Sequence, residues 1–370
     1  MKFTISTKPL STALDLAVVS NNVSKFYRKS CLAQVSVSGR ELRVNLEAAR
    51  ICSELRFKGA PDTENSQETI FLDCLLFKQL ISTLESSTIT LEFTEGGMIV
   101  HSGKSKFTLP KMLDSSEIEL TPPASHNYNI ADSIDLDKSG WKFVKDYQMY
   151  SIAMSYAYPV YTKVWVGDNG DVIVGDLNTS LFTYSKKSNL GQTCLLSDTI
   201  INLFNSLPEG TKMCKGDRSY LIHLSTDGFE YLAEFKPQYE SDADVGSYNS
   251  DLILGELKHP DYNIQVNPSI LIKALNQASL LSSSTEDTIS VYIGNGRMML
   301  HDKNVECIVD VSGTEDQDPT ELDFKTSDIQ SVLKTYTDDT IHIGPIFDGE
   351  EVKAFVFWSK DLTTVLGGVD

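Results

Sequence analysis

The chain has 370 residues, 41% of them hydrophobic and 22% charged, which is enough apolar material to bury two or three globular cores. Its formal net charge of −19 argues against a surface that binds nucleic acid throughout, because attraction to a polyanion needs Lys and Arg at the contact. The six cysteines form no CxxC pair and no apolar run reaches the ~20 residues of a membrane span, so we expect reduced thiols and a soluble, cytoplasmic protein.

We predict six amphipathic helices, at 8–29, 73–85, 137–155, 197–207, 268–283 and 325–337. The second, fourth and sixth share apolar residues at i, i+3, i+4 and i+7, the spacing of one buried helix face. These quartets are Phe77/Leu80/Ile81/Leu84, Ile200/Leu203/Phe204/Leu207 and Ile329/Val332/Leu333/Tyr336. A Thr follows each quartet after four residues, and strand-like segments follow the Thr. The quartets recur at spacings of 123 and 129 residues, so the sequence predicts three copies of one unit.

The first and fifth helices share a second apolar pattern, of which the third helix carries a looser version. The shared pattern is Leu10/Ala13/Leu14/Ala17 and Leu271/Ala274/Leu275/Ala278. Alternating segments between the helices contain the hairpin turn sequences Ser-Gly-Arg, Asp-Asn-Gly and Asn-Gly. We therefore predict an α+β fold in which each unit packs two helices on antiparallel sheets. Turn-forming and acidic residues near 120–125 and 239–255 predict domains 1–124, 125–256 and 257–370.

Basic residues are concentrated in the predicted helices, which carry 11 Lys and Arg against 7 Asp and Glu, a net of +4 in a chain of −19. At about 100° per residue, several lysines fall roughly opposite the apolar stripe of their helix. They are Lys8, Lys138, Lys145, Lys273 and Lys334. Any one of these lysines could be an ordinary solvated residue, but the same placement in all three units predicts a cationic side of the molecule.

The stretch Gly96–Ser105, GGMIVHSGKS, ends in the Gly-Lys-Ser of a nucleotide-binding P-loop. A P-loop also needs glycine at position 98, where this chain has Met98. We therefore favour a β-hairpin and keep a P-loop nucleotide-binding protein as an unfavoured alternative. No serine-hydrolase, zinc-protease, dinucleotide or calcium-loop motif is present, and Asp168–Asp171 is typical of a hairpin turn. We predict no catalytic residue, no metal and no cofactor.

Several segments, taken in order, resemble bacterial-type DNA polymerase III beta sliding clamps, the processivity factors of DNA replication. GGMIVHSGKSKFTL resembles a hairpin of the family's first domain, and His259-Pro260-Asp261-Tyr262 resembles its Phe-Pro-Asp-Tyr element before the third domain. LIKALNQASLLSS resembles the opening helix of the third domain, and AFVFW resembles the terminal strand. The local matches are patchy, so the resemblance is to a divergent member, as a phage-encoded clamp would be.

The resemblance implies three repeated clamp domains in each chain and a closed six-domain ring formed by a head-to-tail homodimer. Such a ring would encircle double-stranded DNA without sequence preference, tether the DNA polymerase, and be opened by a clamp-loader ATPase. Its helices would line the hole, and the residues implied to approach DNA are Lys8, Lys25, Arg28, Lys29, Lys138, Lys142, Lys145, Lys273 and Lys334. A monomeric processivity factor that does not encircle DNA stays open as an alternative.

The resemblance also implies two protein contacts. The family's subunit contact falls on Phe107 and Leu109 of domain 1 and on Leu280 and Leu281 of domain 3. Exposed apolar residues on an edge strand need a pairing edge, and head-to-tail contacts that close form rings. The family's groove for partner peptides maps to Tyr161, Leu181, Pro260, Val356 and Trp358. Because GDLNTSL replaces the family's Thr-Asp-Gly-His-Arg-Leu, we expect a different peptide specificity.

Overall fold

The computed structural model describes residues 1–20, 32–48, 50–63, 67–112, 120–136, 164–176, 181–185, 190–239, 259–260, 262–281, 288–302, 304–313 and 319–369. The predicted third helix, 137–155, lies outside these residues. The chain divides into a first compact unit, Met1–Lys138 with Ser197–Pro237, and a second, Ser139–Leu196 with Gln238–Asp370. Every strand pair in the described part of the chain is antiparallel.

The described helices coincide with five of the predicted ones. They are α1 (Thr7–Ser20), α2 (Cys74–Ser82), α3 (Asp198–Ser206), α4 (Pro268–Leu281) and α5 (Thr326–Lys334). Side chains cap the starts of α2 and α4, where Asp73 accepts from the Leu76 N–H and Asn267 accepts from the Ser269 N–H, each at 2.9 Å. The part of the first predicted helix beyond Ser20 lies outside the described residues.

The first unit contains sheets I and II. Sheet I comprises β1 (Lys2–Ser6), β5 (Ala60–Pro61), β7 (Thr88–Thr94), β8 (Gly97–Ser102) and β9 (Ser105–Pro110). Sheet II comprises β2 (Leu32–Ser38), β3 (Glu41–Ala48), β4 (Ile51–Lys58), β6 (Gln67–Asp73), β10 (Ile134–Asp135), β15 (Lys212–Lys215), β16 (Tyr220–Ser225) and β17 (Glu230–Phe235). The strand orders are β5-β1-β7-β8-β9 and β10-β15-β16-β17-β4-β3-β2-β6.

The second unit contains sheets III and IV. Sheet III comprises β11 (Val164–Val166), β12 (Val172–Asp176), β13 (Leu181–Ser185), β14 (Cys194–Leu196), β18 (Ile264–Val266), β22 (Ser312–Gly313), β24 (Ile341–Asp348), β25 (Glu351–Trp358) and β26 (Leu362–Gly367). Sheet IV comprises β19 (Thr288–Gly294), β20 (Arg297–Asp302), β21 (Val305–Val309) and β23 (Thr320–Lys325). The strand orders are β14-β11-β12-β13-β26-β25-β24-β18-β22 and β21-β20-β19-β23.

Sheets II and III each continue from one sequence repeat into the next. In sheet II, β4 of the first repeat pairs with β17 of the second, and Arg56 Nη1 lies 3.3 Å from Glu230 Oε2 across the pair. In sheet III, β13 of the second repeat pairs with β26 of the third. The compact units therefore follow the sheets rather than the repeats, and the domains 1–124, 125–256 and 257–370 remain a prediction from the repeat pattern.

Aromatic side chains attach the helices to the sheets. In the first unit, Phe204 of α3 meets Phe235 of β17 edge to face, with ring centroids 5.2 Å apart. In the second, the Tyr336 hydroxyl, just after α5, donates to the Phe357 carbonyl of β25 at 2.7 Å. These contacts bury the apolar stripes that identified the helices in the sequence, which leaves the polar side of each helix for solvent or a ligand.

The predicted hairpin turns form where their sequences require them. Between β19 and β20, Asn295 and Gly296 have φ of 52° and 69°, the pair of positive values that a type I′ turn needs. Between β11 and β12, Asn169 donates to the Asp171 carboxylate at 2.7 Å, so the Asp-Asn-Gly-Asp sequence closes a turn. None of the described helices is long and apolar enough to cross a membrane. No described cysteine is bonded to another described cysteine.

Candidate functional site

The solvent side of α1 carries Lys8, the one candidate DNA contact of the first unit that lies in the described residues. The helix buries its stripe of Leu and Ala side chains and leaves Lys8 exposed. It packs against α2 of its own repeat and α3 of the next. Asp15 pairs with Lys78 of α2 at 3.0 Å, and Val19 near the helix end is 52% exposed. The open face of α1 is therefore mixed, with one cation at its start and apolar surface at its end.

In the second unit, α4 and α5 carry Lys273 and Lys334 on their exposed sides. Lys334 lies in the last turn of α5, where the helix dipole favours a cation. All three described lysines thus lie away from the buried stripe, as predicted, although their role toward DNA stays a prediction. The other candidates lie outside the described residues: Lys25, Arg28, Lys29, Lys138, Lys142 and Lys145.

A cavity of about 830 Å³ lies beside α1 in the first unit. Its wall includes Pro9 and Val19 of α1, Pro208 after α3, and Phe229 after the turn that joins β16 to β17. Gly228 in that turn contacts the start of α1, since a Cβ at Gly228 would lie 2.6 Å from Cβ and Cγ of Pro9. The opening helix of the first repeat is therefore in contact with the last hairpin of the second repeat.

The edge strand β9 of sheet I carries the first half of the predicted subunit contact. Phe107 and Leu109 point to the same face of the strand, as residues two apart do. Leu109 is only 3% exposed and belongs to the core of its own chain, whereas Phe107 is 37% exposed. Lys104 and Lys106 are exposed beside them. Of the two predicted apolar contacts on this strand, Phe107 is the one with surface available to a second molecule.

The second half of that contact lies along α4 and the neighbouring edge strand β21 of sheet IV. Leu280 is 83% exposed at the end of α4, and the Leu281 side chain lies outside the described part of the structure. The helix packs against β20 and β21. On β21, Ile308 is 58% exposed and Glu306 is also exposed. This edge is therefore apolar and acidic, whereas β9 is apolar and basic.

The Gly-Lys-Ser sequence forms the turn between β8 and β9. Ser102 pairs with Ser105, which leaves Gly103 and Lys104 as a two-residue loop, and Gly103 has φ +58°. Glycine at the first loop position is the usual way to close such a hairpin. A P-loop would instead place the lysine at the start of a helix. The structure therefore excludes the phosphate cradle and agrees with the predicted hairpin.

Three of the predicted groove residues meet on sheet III. Val356 and Trp358 of β25 belong to one buried apolar cluster with Trp165 and neighbouring residues. Pro260 approaches the same strands, because a Cβ at Gly344 would lie 2.5 Å from its Cγ, and Gly344 pairs with Val356. The Tyr161 and Leu181 side chains lie outside the described part of the structure.

Two histidine rings stack on Trp358. The ring of His259 stacks at 4.8 Å and that of His342 at 5.2 Å, each within 14° of parallel. His259 Nε2 lies 2.9 Å from Thr363 Oγ1, and His342 Nδ1 lies 2.8 Å from Asn263 Oδ1. Burial, and then the nearby His342, lower the pKa of His259 from its ordinary 6.5, which favours a neutral ring on the indole. Neither histidine was predicted; the signal in the sequence is His259 at the family's Phe position.

The described residues contain no group of three His, Cys, Asp or Glu side chains placed to hold a metal ion. The features that the structure does bring together are helix faces with exposed lysines, two sheet edges of opposite charge, and an apolar cluster beside Pro260.

Comparison with known proteins gives the class of the fold. No family model matches the sequence, and no curated protein matches it. Solved structures of DNA polymerase sliding clamps match over 100% of this chain. At these identities, all far below 25%, the likeness establishes the fold and leaves function to be argued.

The individual neighbours are DNA polymerase III beta subunits from several bacteria. The subunit from Pseudomonas aeruginosa is 14% identical with a TM-score of 0.74, and 100% of its chain is covered. The beta chain from Streptococcus pneumoniae is 14% identical at 0.75, with 99% of its chain covered. The sliding clamp from Bartonella birtlesii bound to griselimycin is 13% identical at 0.76, with 100% covered. The present chain has the fold of these proteins.

Proposed function

We propose that this protein is a DNA sliding clamp that assembles head to tail into a closed ring, encircles duplex DNA and tethers a DNA polymerase. The proposal assigns no catalytic step to the chain. In this role the protein acts in the cytoplasm, with a polymerase and a loader ATPase as its protein partners. The fold shared with DNA polymerase III beta subunits supports this proposal, and the repeat junctions carry it further because they indicate how the chain closes on a second copy.

The observation that carries the proposal is a regular pairing between repeats. Among the described strands, each repeat contains two groups of three consecutive strands: β2–β4 and β7–β9 in the first, β11–β13 and β15–β17 in the second, and β19–β21 and β24–β26 in the third. The last strand of one repeat's first group pairs with the last strand of the following repeat's second group. The first junction is β4 with β17, and the second is β13 with β26. The same rule applied to the third repeat selects β21, and its partner would be β9 of a following first repeat. Both β21 and β9 lie at sheet edges.

The two edges have complementary surfaces. On β9 and the turn before it, Lys104 and Lys106 are exposed, and on and beside β21, Glu306 and Asp310 are exposed. Phe107 on one edge and Ile308 on the other supply apolar area. An edge of this kind is an aggregation hazard unless it pairs, and a head-to-tail contact that closes after two copies gives a ring. Lys and Glu on opposite edges also disfavour pairing of an edge with its own copy.

Binding to DNA would then depend on topology rather than on tight contacts. Lysines on the helix faces attract phosphates without reading bases, and such attraction weakens as salt rises. Lys8, Lys273 and Lys334 are the described residues to which we assign this role. The strongly acidic remainder of the chain, which has a net charge of −19 overall, disfavours DNA elsewhere on the surface.

Partner proteins would bind by short peptides at the cluster around Pro260, Val356 and Trp358, with Tyr161 and Leu181 completing the groove. Val356 and Trp358 are 0% and 8% exposed, so they would form the floor of the groove, and a linear apolar motif would contact the side chains around them. The Caulobacter crescentus clamp, which is 13% identical, has been solved with polyethylene glycol bound to a proposed beta-motif tethering region. Because GDLNTSL differs from the clamp sequence at this site, the preferred peptide would differ as well.

The decisive test compares retention on circular and linear DNA. The protein is reassembled from dissociated protomers in the presence of circular duplex plasmid, and bound protein is isolated by gel filtration at high salt. We expect retention on the circle and release when a restriction enzyme cuts it, because only a topological tether ends when the circle opens. Retention after cutting would contradict encirclement.

Sedimentation separates the ring from the monomeric alternative. A ring sediments at twice the 41.1 kDa mass of the chain, whereas a processivity factor that binds DNA on one face sediments as a single chain. A monomer at micromolar concentration, which is a typical range for a weak dimer, would exclude a stable ring and favour that alternative.

A further inference from the structure

The opening helices of the first and third repeats can be aligned residue by residue. Their buried stripes, Leu10/Ala13/Leu14/Ala17 in α1 and Leu271/Ala274/Leu275/Ala278 in α4, occupy the same positions. This alignment places Ile270 of α4 at the position of Pro9 in α1, and Leu280 at the position of Val19. What covers Pro9 inside the chain therefore indicates what would cover Ile270.

Within the first unit, Pro9 is covered by the turn between β16 and β17. A Cβ on Gly228 would lie 2.6 Å from both Cβ and Cγ of Pro9, so the backbone of the turn lies directly on the start of α1. Phe229 of the same turn is 9% exposed and lines the cavity beside the helix. This hairpin joins the last two strands of the second repeat, and its last strand, β17, is the one that pairs with β4.

The corresponding surface of α4 is exposed in the single chain. Ile270 is 53% exposed and Leu280 is 83% exposed, and Lys273 and Gln277 between them are exposed as well. An isoleucine at the start of a helix and a leucine at its end, on one side of that helix, form an apolar pair with no chain segment seated on it among the described residues. The in-chain junction predicts that a hairpin turn from a following repeat belongs there.

The hairpin that corresponds to β16–β17 in the first repeat is β8–β9, whose turn is Gly103 and Lys104. It also joins the last two strands of its repeat, and its last strand lies at the edge of sheet I. A Cβ on Gly103 would meet nothing within 4 Å, whereas one on Gly228 would meet Pro9. Among the described residues, the Gly103–Lys104 turn of the first repeat thus has no helix beneath it, and the start of α4 in the third repeat has no turn packed on it.

We propose that the Gly103–Lys104 turn of one copy docks on Ile270 at the start of α4 in a second copy. This inference rests on the proposed ring, and it adds a contact on the helix side of the β9–β21 pairing. Opposite charges favour the same arrangement, because Lys104 and Lys106 approach the strand that carries Glu306 and precedes Asp310. The Gly-Lys-Ser sequence, which is no phosphate cradle, would then be part of the subunit contact.

Site-directed cross-linking between two different copies tests the contact directly. A chain with Lys104→Cys is mixed with a chain with Ile270→Cys, both in a Cys307→Ser background so that the half-buried cysteine of β21 does not react. Oxidation should give a covalent dimer on a denaturing gel, because a disulfide forms only when the two Cα atoms lie about 4.4–6.8 Å apart. The matched control replaces Lys104→Cys by Gly96→Cys, in the turn at the other end of β8, and should not cross-link with Ile270→Cys.

A second measurement separates failure of this contact from failure of the ring. Ile270→Lys should weaken the dimer at least about tenfold by sedimentation, since a charge would replace a buried apolar contact. Phe347→Lys, at another exposed apolar residue of the second unit (44% exposed), should leave the dimer unchanged. A stable dimer that neither cross-links from Lys104→Cys nor responds to Ile270→Lys would overturn this inference and leave the ring standing. An unmodified chain that sediments as a monomer would overturn the ring itself.

Discussion

Arg56 neutralises the most deeply buried carboxylate on sheet II. Its guanidinium pairs with Glu54, whose side chain is only 4% exposed, and with Glu230 at 3.3 Å on the neighbouring strand. Burial by itself lowers the pKa of Arg56, but the charges of Glu54, Glu230 and Glu41 and the hydrogen bond to Glu54 together raise it above its ordinary value. The side chain therefore joins the two repeats at their sheet junction as well as satisfying a buried charge.

We predict that Arg56→Met lowers the free energy of unfolding by about 2–3 kcal/mol, because Glu54 would remain buried without its ion partner. Chemical denaturation followed by circular dichroism measures the change. Arg43→Met is the matched control: Arg43 pairs with Glu41 two residues away in the same way, but the Glu41 side chain is 35% exposed. An exposed pair contributes about 0–1 kcal/mol, so the control should stay within that range. Equal losses for the two variants would show that burial of Glu54 is not the cause.

At the scale of the element, two adjacent glycines lie at the start of β8, next to the edge strand β9 of sheet I, and their surroundings differ. Gly97 begins β8 with φ +154°, and a Cβ there would lie 2.1 Å from the carbonyl oxygen of Leu109 on β9. Gly96, one residue earlier in the turn, would meet nothing within 4 Å. The glycine at 97 thus permits β9 to approach β8 closely at the end where the chain leaves the sheet.

We predict that Gly97→Ala destabilises the first unit by about 1–3 kcal/mol through this backbone clash and displaces β9, while Gly96→Ala changes stability by less than about 0.5 kcal/mol. Urea midpoints give the first quantity. Hydrogen exchange at β9 amides reports the second, and we expect faster exchange in Gly97→Ala alone. Since β9 carries Phe107, the same variant should weaken dimerisation. Wild-type exchange rates in Gly97→Ala would mean that the strand accommodates a side chain there.

The helices and hairpins followed from the sequence because their causes are local. A buried stripe needs only one residue type at every third or fourth position, and Asn295–Gly296 needs only two residues that tolerate positive φ. The exposure of a particular side chain on a strand has no such local cause. Phe107 and Leu109 share a face, yet one is 37% exposed and the other 3%, because coverage depends on which distant segments pack over each position.

At the scale of the whole molecule, charge separation would govern the proposed interaction with DNA. A chain of net charge −19 attracts a polyanion only where lysines gather and acids are absent. We predict that the combined variant Lys8→Glu, Lys273→Glu and Lys334→Glu lowers the affinity for linear duplex DNA at least about tenfold at low salt. Each phosphate contact that is lost reduces the slope of log K against log salt concentration by about 0.9. Fluorescence anisotropy across a salt series measures both the affinity and the slope.

The control for that variant reverses three exposed lysines that lie on strands and turns, Lys236, Lys353 and Lys360, with the same change in net charge. Its affinity for linear DNA should fall much less, because only the positions differ between the two variants. If both variants lose affinity equally, net charge rather than the helix faces would account for DNA binding. The control variant should still sediment as a dimer, since none of its lysines lies on β9, β21 or α4. Lys273 lies on the α4 surface that we propose is covered in the dimer, so the DNA affinities are compared at a protein concentration at which sedimentation shows both variants to be dimers.

The sequence by itself determined three repeats, five of the helices in the places where they are found, the hairpin turns, and a Gly-Lys-Ser sequence that lacks the glycine of a P-loop. Only the tertiary structure decided how the repeats are joined. The pairs β4–β17 and β13–β26 connect strands from different repeats, and the stacking of His259 on Trp358 joins residues about a hundred positions apart in the chain. The physical reason is the separation along the chain over which each effect acts. Periodicity and turn chemistry act between residues that are neighbours in the chain, whereas the choice of a strand partner and the burial of a side chain depend on segments that meet only after folding.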